Sequence, residues 1–157
     1  DVFVPRGWFL PVTPGTKLIT VGGAIAADVH GKNHHVDGSF GQHILSMDVM
    51  RNDGSVITCS PTKHAEFFAV TVGGMGLTGM ILNATFRLKR IESAYIVEET
   101  VKAANLHEIM DCFEASMDWT YSVAWIDCLA KGDSMGRSIM MRGEHARDAD
   151  RPEPHRR

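Results

Sequence analysis

The stretch that most constrains this chain is Thr20–His35, TVGGAIAADVHGKNHH, which joins two glycines to a dense cluster of titratable side chains. Gly22 and Gly23 follow the β-type residue Val21 and precede small residues, so the backbone can approach a flat or phosphorylated ligand closely. The polar residues that follow can place acid/base groups against that ligand. The alternative is a tight turn between a strand and a short helix, with histidines exposed at the surface. The local pattern alone leaves both interpretations open.

A second glycine-rich stretch, Gly73–Gly79, has four glycines in seven residues and leads into a predicted strand, Met80–Leu88. This pattern indicates a backbone that bends sharply and packs close to a neighbour. The stretch lacks the Lys-Ser/Thr ending of a phosphate-binding P-loop. A strand rather than a helix follows it, which excludes a Rossmann fingerprint. A plain loop without a ligand is the alternative.

The composition excludes several broad classes of protein. The chain has 157 residues, 44% hydrophobic and 22% charged, which is ordinary for a globular protein with a core of its own. A net charge of −3 provides no basic field for nucleic acid, and no apolar run approaches the length of a membrane span. Three widely separated cysteines argue against a disulfide framework or a thiolate metal site and favour a reducing compartment.

The pattern before residue 91 predicts strands joined by tight turns. Lys17–Val21 is predicted as a short strand that enters the glycine pair. Ile44–Met50 and Ser55–Cys59 are predicted as a hairpin, because the Asn-Asp-Gly-Ser sequence at 52–55 suits a turn that needs a positive φ.

One helix is predicted between this hairpin and the second glycine stretch. Thr62 is expected to cap it, and the helix is expected to cover Lys63–Val72. Its buried face is expected to consist of Phe67, Phe68 and Val70.

The character of the chain changes near Ile91, where we place a domain boundary. Strands are predicted at Tyr95–Val101, Tyr121–Leu129 and Arg137–Arg142, and Asn105 is expected to cap a helix that runs to about Met117. The apolar residues of that helix share one stripe that is typical of a core face, namely Leu106, Ile109, Met110, Phe113 and Met117. A strand, a helix and two strands with antiparallel turns are typical of an α+β domain.

The sequence also resembles a known family. The segment GGAIAADVHGKNHHVDGSFG is similar to the flavin-binding segment of FAD-linked oxidases of the vanillyl-alcohol-oxidase superfamily, which have a PCMH-type FAD-binding domain. Within it, HGKNHH followed by GSFG resembles bacterial members that oxidise a polyprenyl-phosphate-linked ribose. The resemblance runs from about Val4 to about Ala146.

The fold implied by this resemblance is α+β. Residues 1–91 would be the C-terminal part of a PCMH-type FAD-binding domain, and residues 92–146 the start of an antiparallel α+β substrate domain. Residues 147–157 are expected to be a disordered tail. The family's pyrophosphate loop is expected before Asp1 and the rest of the substrate domain after Ala146. We therefore expect a central piece of a longer oxidase, which by itself binds FAD weakly or not at all and is inactive.

The cofactor that the resemblance implies is FAD. Some members of the superfamily attach the flavin to a histidine, but the group resembled here holds it non-covalently, so no covalent bond is expected at His30. The implied cofactor-binding residues are Gly15, Thr20, Val21, Gly22, Gly23, Ala27, Asp28, Val29, His30 and Ile81.

The implied catalytic residues are His30, beside the isoalloxazine, and Lys32, facing the substrate. Oxidation of a secondary alcohol removes a hydroxyl proton and a hydride from one carbon, and a flavin can take the hydride. Histidine suits the transfer of the proton because its unperturbed pKa lies near neutrality. A lysine can hold substrate oxygens through charge-assisted hydrogen bonds.

The implied substrate is a sugar secondary hydroxyl, oxidised to a ketone, with the 2′-hydroxyl of a polyprenyl-phosphate-linked ribose as the leading choice. The alternatives are an aldonolactone or polyol oxidase of the same superfamily and a non-catalytic fragment. A zinc site would need the histidines to converge on one ion, and adjacent histidines without a nearby cysteine rarely do so. No metal is therefore expected at His30, His34, His35 or His43.

The resemblance also implies partners and a location. A reductase is expected to act on the 2-keto product, and a lipid-linked substrate implies peripheral association with a membrane. The expected location is the bacterial cytoplasm or the periphery of the inner membrane, with the periplasm as the alternative. No nucleic acid is expected as a partner.

Overall fold

The computed structural model describes residues 2–147 and 149, which form helices and antiparallel strands and confirm the predicted α+β class. Most of the tail that was expected to be disordered lies outside the described residues, as does Asp1. The elements in chain order are β1 (Trp8–Phe9), α1 (Val21–Ala26), α2 (His34–Asp37), β2 (Ile44–Met50), β3 (Val56–Cys59), α3 (Ala65–Thr71), β4 (Met80–Phe86), β5 (Lys89–Arg90), β6 (Ile96–Ala103), α4 (Leu106–Glu114), β7 (Tyr121–Ile126) and β8 (Ser138–His145).

The chain divides into two compact units. The first unit is Leu10–Lys89, and the second comprises residues 1–9 and 90–157. Every residue that the sequence analysis assigned to cofactor or catalysis lies in the first unit, so the candidate site can be built from that unit alone.

A three-stranded antiparallel sheet forms the first unit's framework, with the strand order β3-β2-β4. The inward residues of β2 face the inward residues of both neighbours, as in the pairs Val49 with Ile57 and Val49 with Ile81. Ala24 and Ile25 of α1 are buried in the same cluster, so α1 packs on the inner face of this sheet. The buried core of the unit consists of Val12, Ala24, Ile25, Phe40, Ile44, Met47, Val49, Cys59 and Phe68.

The predicted hairpin is confirmed. Strand β2 covers the predicted residues, and β3 begins one residue later than expected. Gly54 has a φ of +81°, and the Arg51 N–H donates to the Ser55 carbonyl at 2.8 Å. A residue without a Cβ is favoured at this φ, which is why the local sequence was enough to locate the turn.

The strand predicted at Lys17–Val21 is wrong, because these residues lead into α1. The Thr20 hydroxyl accepts a hydrogen bond from the Gly23 N–H at 3.0 Å and caps the helix. Burial of Ala24 and Ile25 on one helical face then stabilises a helix that contains two glycines. The glycine pair is therefore the first turn of a helix and not a turn after a strand.

The predicted cap at Thr62 is also wrong. Helix α3 begins at Ala65 after His64, which has a φ of +48°, whereas the Thr62 N–H donates to the Ser60 hydroxyl in the preceding turn. Phe68 is buried as expected, but Val70 is 58% exposed. The later start shifts the buried face of the helix to Phe68 and Thr71.

The second unit is a sheet of order β6-β8-β7 with α4 packed against it. The predicted cap of α4 is confirmed, since the Asn105 side chain accepts from the Glu108 N–H at 3.0 Å. Only part of the predicted stripe is covered: Ile109 is buried, but Met110 and Met117 are exposed. In the described residues, no helix has the length and apolarity that crossing a membrane requires.

Candidate functional site

The predicted cofactor residues Thr20–Gly23 form the capped start of α1. The backbone N–H groups of the first helical residues, Val21 and Gly22, have no acceptor within the helix. A Cβ placed on Gly22 would lie 3.9 Å from the Cβ of Ile81 on β4. The structure therefore brings together two predicted cofactor residues, Gly22 and Ile81, that are far apart in the sequence.

The segment before α1 exposes backbone and apolar side chains to the surface, next to the polar side chains of Thr16 and Lys17. A Cβ on Gly15 would meet no atom within 4 Å. Leu18 is 85% exposed, and Ile19 and Val21 are also exposed. Exposed apolar side chains beside open glycines fit a flat, largely apolar ring system that would cover them.

Asp28 and Val29, two further predicted cofactor residues, also have an internal role. The Asp28 carboxylate accepts from the Gly41 N–H at 2.8 Å. The Val29 N–H donates to the Ala24 carbonyl, and its own carbonyl accepts from Phe40. These contacts tie the end of α1 to the segment before β2. Contact of either residue with FAD stays a prediction.

The second glycine stretch packs as the sequence predicted. The N–H groups of Gly73 and Met75 donate to the carbonyls of Ile25 and Ala26, at the C-terminal end of α1. Gly79 has a φ of +144°, and a Cβ there would lie 2.3 Å from the Met50 carbonyl oxygen. We call residues 73–79 the glycine loop; it bends sharply and approaches its neighbours closely.

Residues 30–39, which we call the histidine loop, contain both predicted catalytic residues. An antiparallel bridge between His30 and Ser39 closes the two ends of the loop. The side chains of His30 and Lys32 are exposed, whereas Asn33 is only 1% exposed. The rings of His30 and His34 lie edge to face with centroids 5.5 Å apart, so His34 restricts the rotation of His30.

Glycine is required between the two predicted catalytic residues. A Cβ on Gly31 would lie 2.5 Å from the Thr13 carbonyl oxygen and 2.9 Å from the Asn33 side-chain oxygen. The histidine loop therefore presses its backbone against the segment that enters α1. In the described residues, no hydrogen bond or ion pair is formed by Lys32, so its ammonium group can contact a ligand.

A network centred on Asp37 holds the histidine loop in place. The Asn33 amide donates to the Pro11 carbonyl and to the Asp37 carboxylate, both at 2.7 Å. Lys89 donates to the same carboxylate oxygen at 2.8 Å, and His43 Nε2 donates to the Asp37 carbonyl at 2.8 Å. We call Asn33, Asp37, His43 and Lys89 the Asp37 network.

The electrostatics of this network keep Asp37 ionised. Burial alone would raise the pKa of the Asp37 carboxyl, but hydrogen bonds from Lys89 and Asn33 and the positive charges of Lys89 and His43 lower it by more. The sequence analysis missed this network. The spacing of Asn33 and Asp37 on adjacent helical turns was a usable signal, but nothing local pointed to Lys89.

No group of three or more His, Cys, Asp or Glu side chains in the described part of the chain is arranged to hold a metal ion. The rings of His30 and His34 contact one another edge to face, and His43 donates to the Asp37 carbonyl. The candidate site is thus built from exposed backbone, apolar side chains, His30 and Lys32, a set that suits an organic cofactor and a polar substrate.

The chain is similar to known proteins, and this similarity helps to identify the ligand of the candidate site. Residues 1–60 match the FAD binding domain family. This segment is similar to members of that family. FAD is accordingly the cofactor of the domain, and the exposed Gly15 and the N–H groups of Val21 and Gly22, which have no acceptor within the helix, fit such a cofactor. Ile81 and the glycine loop lie beyond the matched residues, so their contact with FAD stays a prediction.

Full-length relatives extend the similarity past the FAD binding domain. The chain is 42% identical over 149 residues, 92% of its length, to decaprenylphosphoryl-beta-D-ribose oxidase of Mycolicibacterium smegmatis. It is 37% identical over 93% of its length to an uncharacterized protein in the mprA 5′ region of Streptomyces coelicolor, and 35% identical over 54% to cytokinin dehydrogenase 3 of rice, Oryza sativa subsp. japonica. It spans 32%, 40% and 15% of these relatives, respectively.

Proposed function

We propose that this chain works in an FAD-dependent oxidoreductase that oxidises a secondary hydroxyl of a sugar to a ketone. The observation that carries the proposal is the histidine loop. It exposes His30 and Lys32 from a backbone that is closed at both ends and held at its centre, in the compact unit that contains residues 10–60 of the matched FAD binding segment. A proton acceptor and a hydrogen-bond donor on a fixed loop are what the protein has to supply for this reaction.

The substrate that we propose is decaprenylphosphoryl-β-D-ribose or a related polyprenyl-phosphate sugar, oxidised at its 2′-hydroxyl. The support is the 42% identity to the mycobacterial oxidase, which extends over 92% of the chain and includes both units. The similarity to cytokinin dehydrogenase covers only about half of the chain and therefore supports the cofactor more than the substrate.

The chemistry divides between the cofactor and the chain. FAD supplies a hydride acceptor when bound, and residues at Gly15, Thr20–Gly23, Ala27–His30 and Ile81 would hold one side of it. His30 accepts the hydroxyl proton as the carbon–hydrogen bond breaks, and Lys32 donates a hydrogen bond to a substrate oxygen. Gly31 lets these two side chains leave a backbone that is packed against Thr13.

Partners and location follow from the proposed substrate. A reductase that acts on the 2-keto product would be the functional partner. A substrate with a polyprenyl tail resides in a bilayer. We therefore propose that the protein is located in the cytoplasm and acts at the periphery of the inner membrane. Cell fractionation tests this location, and recovery from the periplasm would contradict it.

The deciding experiment uses the full-length protein under anaerobic conditions. We expect a flavin absorbance spectrum that is bleached by decaprenylphosphoryl-ribose, with one ketone formed per flavin reduced. Turnover of free sugar lactones or polyols, but not of the lipid-linked sugar, would instead show an aldonolactone or polyol oxidase. A full-length protein that neither contains nor binds flavin would refute the proposal and leave a non-catalytic role.

A further inference from the structure

We propose that Asp37 is a positioning residue for the oxidation, because its carboxylate fixes the part of the histidine loop from which Lys32 projects. The inference rests on the proposed function, in which Lys32 contacts the substrate. In this proposal Asp37 acts through Asn33, its hydrogen-bond partner and the neighbour of Lys32 in the chain.

The connection between Asp37 and Lys32 is short. Asn33 follows Lys32 directly, and its buried amide has two acceptors, the Pro11 carbonyl and the Asp37 carboxylate. The Asp37 N–H in turn donates to the Asn33 carbonyl at 2.8 Å. Asn33 and Asp37 thus hold one another through both backbone and side chains. The residue before them has little freedom to move.

The network is anchored to three other parts of the first unit. Pro11 lies before α1, His43 lies directly before β2, and Lys89 follows β4. Each of them donates to or accepts from Asn33 or Asp37 at 2.7–2.8 Å. The histidine loop therefore takes its position from the framework of the unit and not from its own short helix, α2.

The charge of Asp37 is the feature that makes this arrangement depend on one residue. The side chains of Asp37 and Lys89 are only 19% and 29% exposed. Removing the carboxylate charge takes an ion-pair partner from a largely covered ammonium group and a charged acceptor from the Asn33 amide, so the contacts that hold Asn33 rearrange. A shift of the Asn33 backbone would carry Lys32 with it, and a displacement of about 1 Å at a reacting group can lower a rate on the order of 100-fold.

A merely structural carboxylate is available for comparison in the same unit. Asp48 on β2 accepts from Thr58 at 2.6 Å and from Asn83 at 2.8 Å, so it also has two side-chain donors. Both of these donors are neutral, whereas one donor of Asp37 is a lysine, and all three residues lie on the outer face of the sheet. Asp48→Asn is therefore the matched control for Asp37→Asn.

The test measures steady-state kinetics and FAD affinity of the full-length protein for Asp37→Asn, Lys32→Ala and the double variant. We expect Asp37→Asn to lower kcat on the order of 10- to 100-fold with FAD still bound stoichiometrically. In the Lys32→Ala background, the further effect of Asp37→Asn should be at most about twofold, because a lysine that is absent cannot be misplaced. Asp48→Asn should keep the rate of the wild type.

Two outcomes would overturn the inference. Additive effects of Asp37→Asn and Lys32→Ala, or equal losses in Asp37→Asn and Asp48→Asn, would show that Asp37 only supports the fold. Unchanged turnover in Lys32→Ala would instead refute the proposed role of Lys32. This outcome differs from one in which Lys32→Ala loses activity but Asp37→Asn does not, which would refute only the role of Asp37.

A second variant keeps the test decisive if Asp37→Asn does not fold. Lys89→Gln removes the same ion pair from the other side and should reproduce the loss of kcat and its dependence on Lys32. Asp37→Glu retains the charge and should recover activity relative to Asp37→Asn. Wild-type kcat in a folded Lys89→Gln protein would contradict the role of the network.

Discussion

The histidine loop and the glycine loop lie in the same unit, and both pack against the segment that contains α1, but they are held by opposite means. The histidine loop is fixed by side chains, through a buried amide and an ion pair between Asp37 and Lys89. The glycine loop is fixed by backbone N–H groups and by the absence of side chains at its points of closest approach. The first should therefore respond to changes of charge and hydrogen bonding, and the second to any added Cβ.

The largest expected effect is on the glycine loop. Gly79→Ala adds a Cβ 2.3 Å from the Met50 carbonyl at a φ of +144°, so strain and overpacking combine to a loss of about 2–4 kcal/mol in the free energy of unfolding. Gly76→Ala, at a φ of +79° with open space around it, should lose only about 1–2 kcal/mol. Denaturant unfolding of the two variants measures the difference. Equal losses would show that close approach is not what holds this loop.

The histidine loop should show its largest effect in catalysis. Lys32→Ala removes an exposed side chain that forms no hydrogen bond or ion pair within residues 2–147, so the melting temperature should stay near that of the wild type. Loss of a charged hydrogen bond to substrate should lower kcat/KM by roughly 10- to 100-fold, equivalent to about 1.5–3 kcal/mol, with FAD retained. Anaerobic flavin reduction by the sugar substrate reports this loss directly. Wild-type kinetics would assign Lys32 to the ordinary surface.

The contrast also explains what could be predicted from the sequence. The β2–β3 hairpin and the close packing of the glycine loop were both predicted correctly. Each depends on a glycine at a positive φ or in a close contact, Gly54 and Gly79 respectively, and such a glycine can be recognised in the local sequence. The roles of His30 and Lys32 were inferred differently, from the resemblance of HGKNHH to a known family, and they stay predictions. The partner of Asp37 was not predicted, because Lys89 is distant in the sequence and a lone lysine has no distinguishing pattern.

The strand that was predicted before the glycine pair shows a second kind of failure. Val21 favours a strand and two glycines disfavour a helix, so local propensity pointed away from α1. The Thr20 cap and the burial of Ala24 and Ile25 outweigh those preferences, and only the cap is visible without the fold. Propensity fails here because the energy that decides the structure comes from tertiary packing.

Removing the cap of α1 should have an effect of intermediate size. We expect it to reach both the histidine loop and the glycine loop, because both pack against the segment that contains α1. Thr20→Ala removes the side-chain acceptor for the Gly23 N–H and should destabilise the first unit by about 1 kcal/mol. Thr20→Ser keeps the acceptor and serves as the control. Because Thr20–Gly23 are predicted to contact FAD, the Ala variant should bind FAD more weakly than the Ser variant in equilibrium dialysis. Equal stability of the two variants would contradict the capping role.

The smallest expected effect is the one that separates the two loops most cleanly, because only one of them depends on a charge. The pKa of the Asp37 carboxyl is lower in the folded protein than its ordinary value of 3.8, so the folded state binds fewer protons there than the unfolded state. The stabilisation is fully present above that ordinary value and is lost as the pH falls through the lower folded value. The destabilisation caused by Asp37→Asn should therefore shrink between neutral and acidic pH, whereas that of Gly79→Ala, which involves no titratable group, should stay constant. Thermal unfolding of both variants and the wild type across this range is the measurement. If the melting temperatures of Asp37→Asn and the wild type differ by the same amount down to the lowest pH measured, the Asp37 charge does not stabilise the histidine loop.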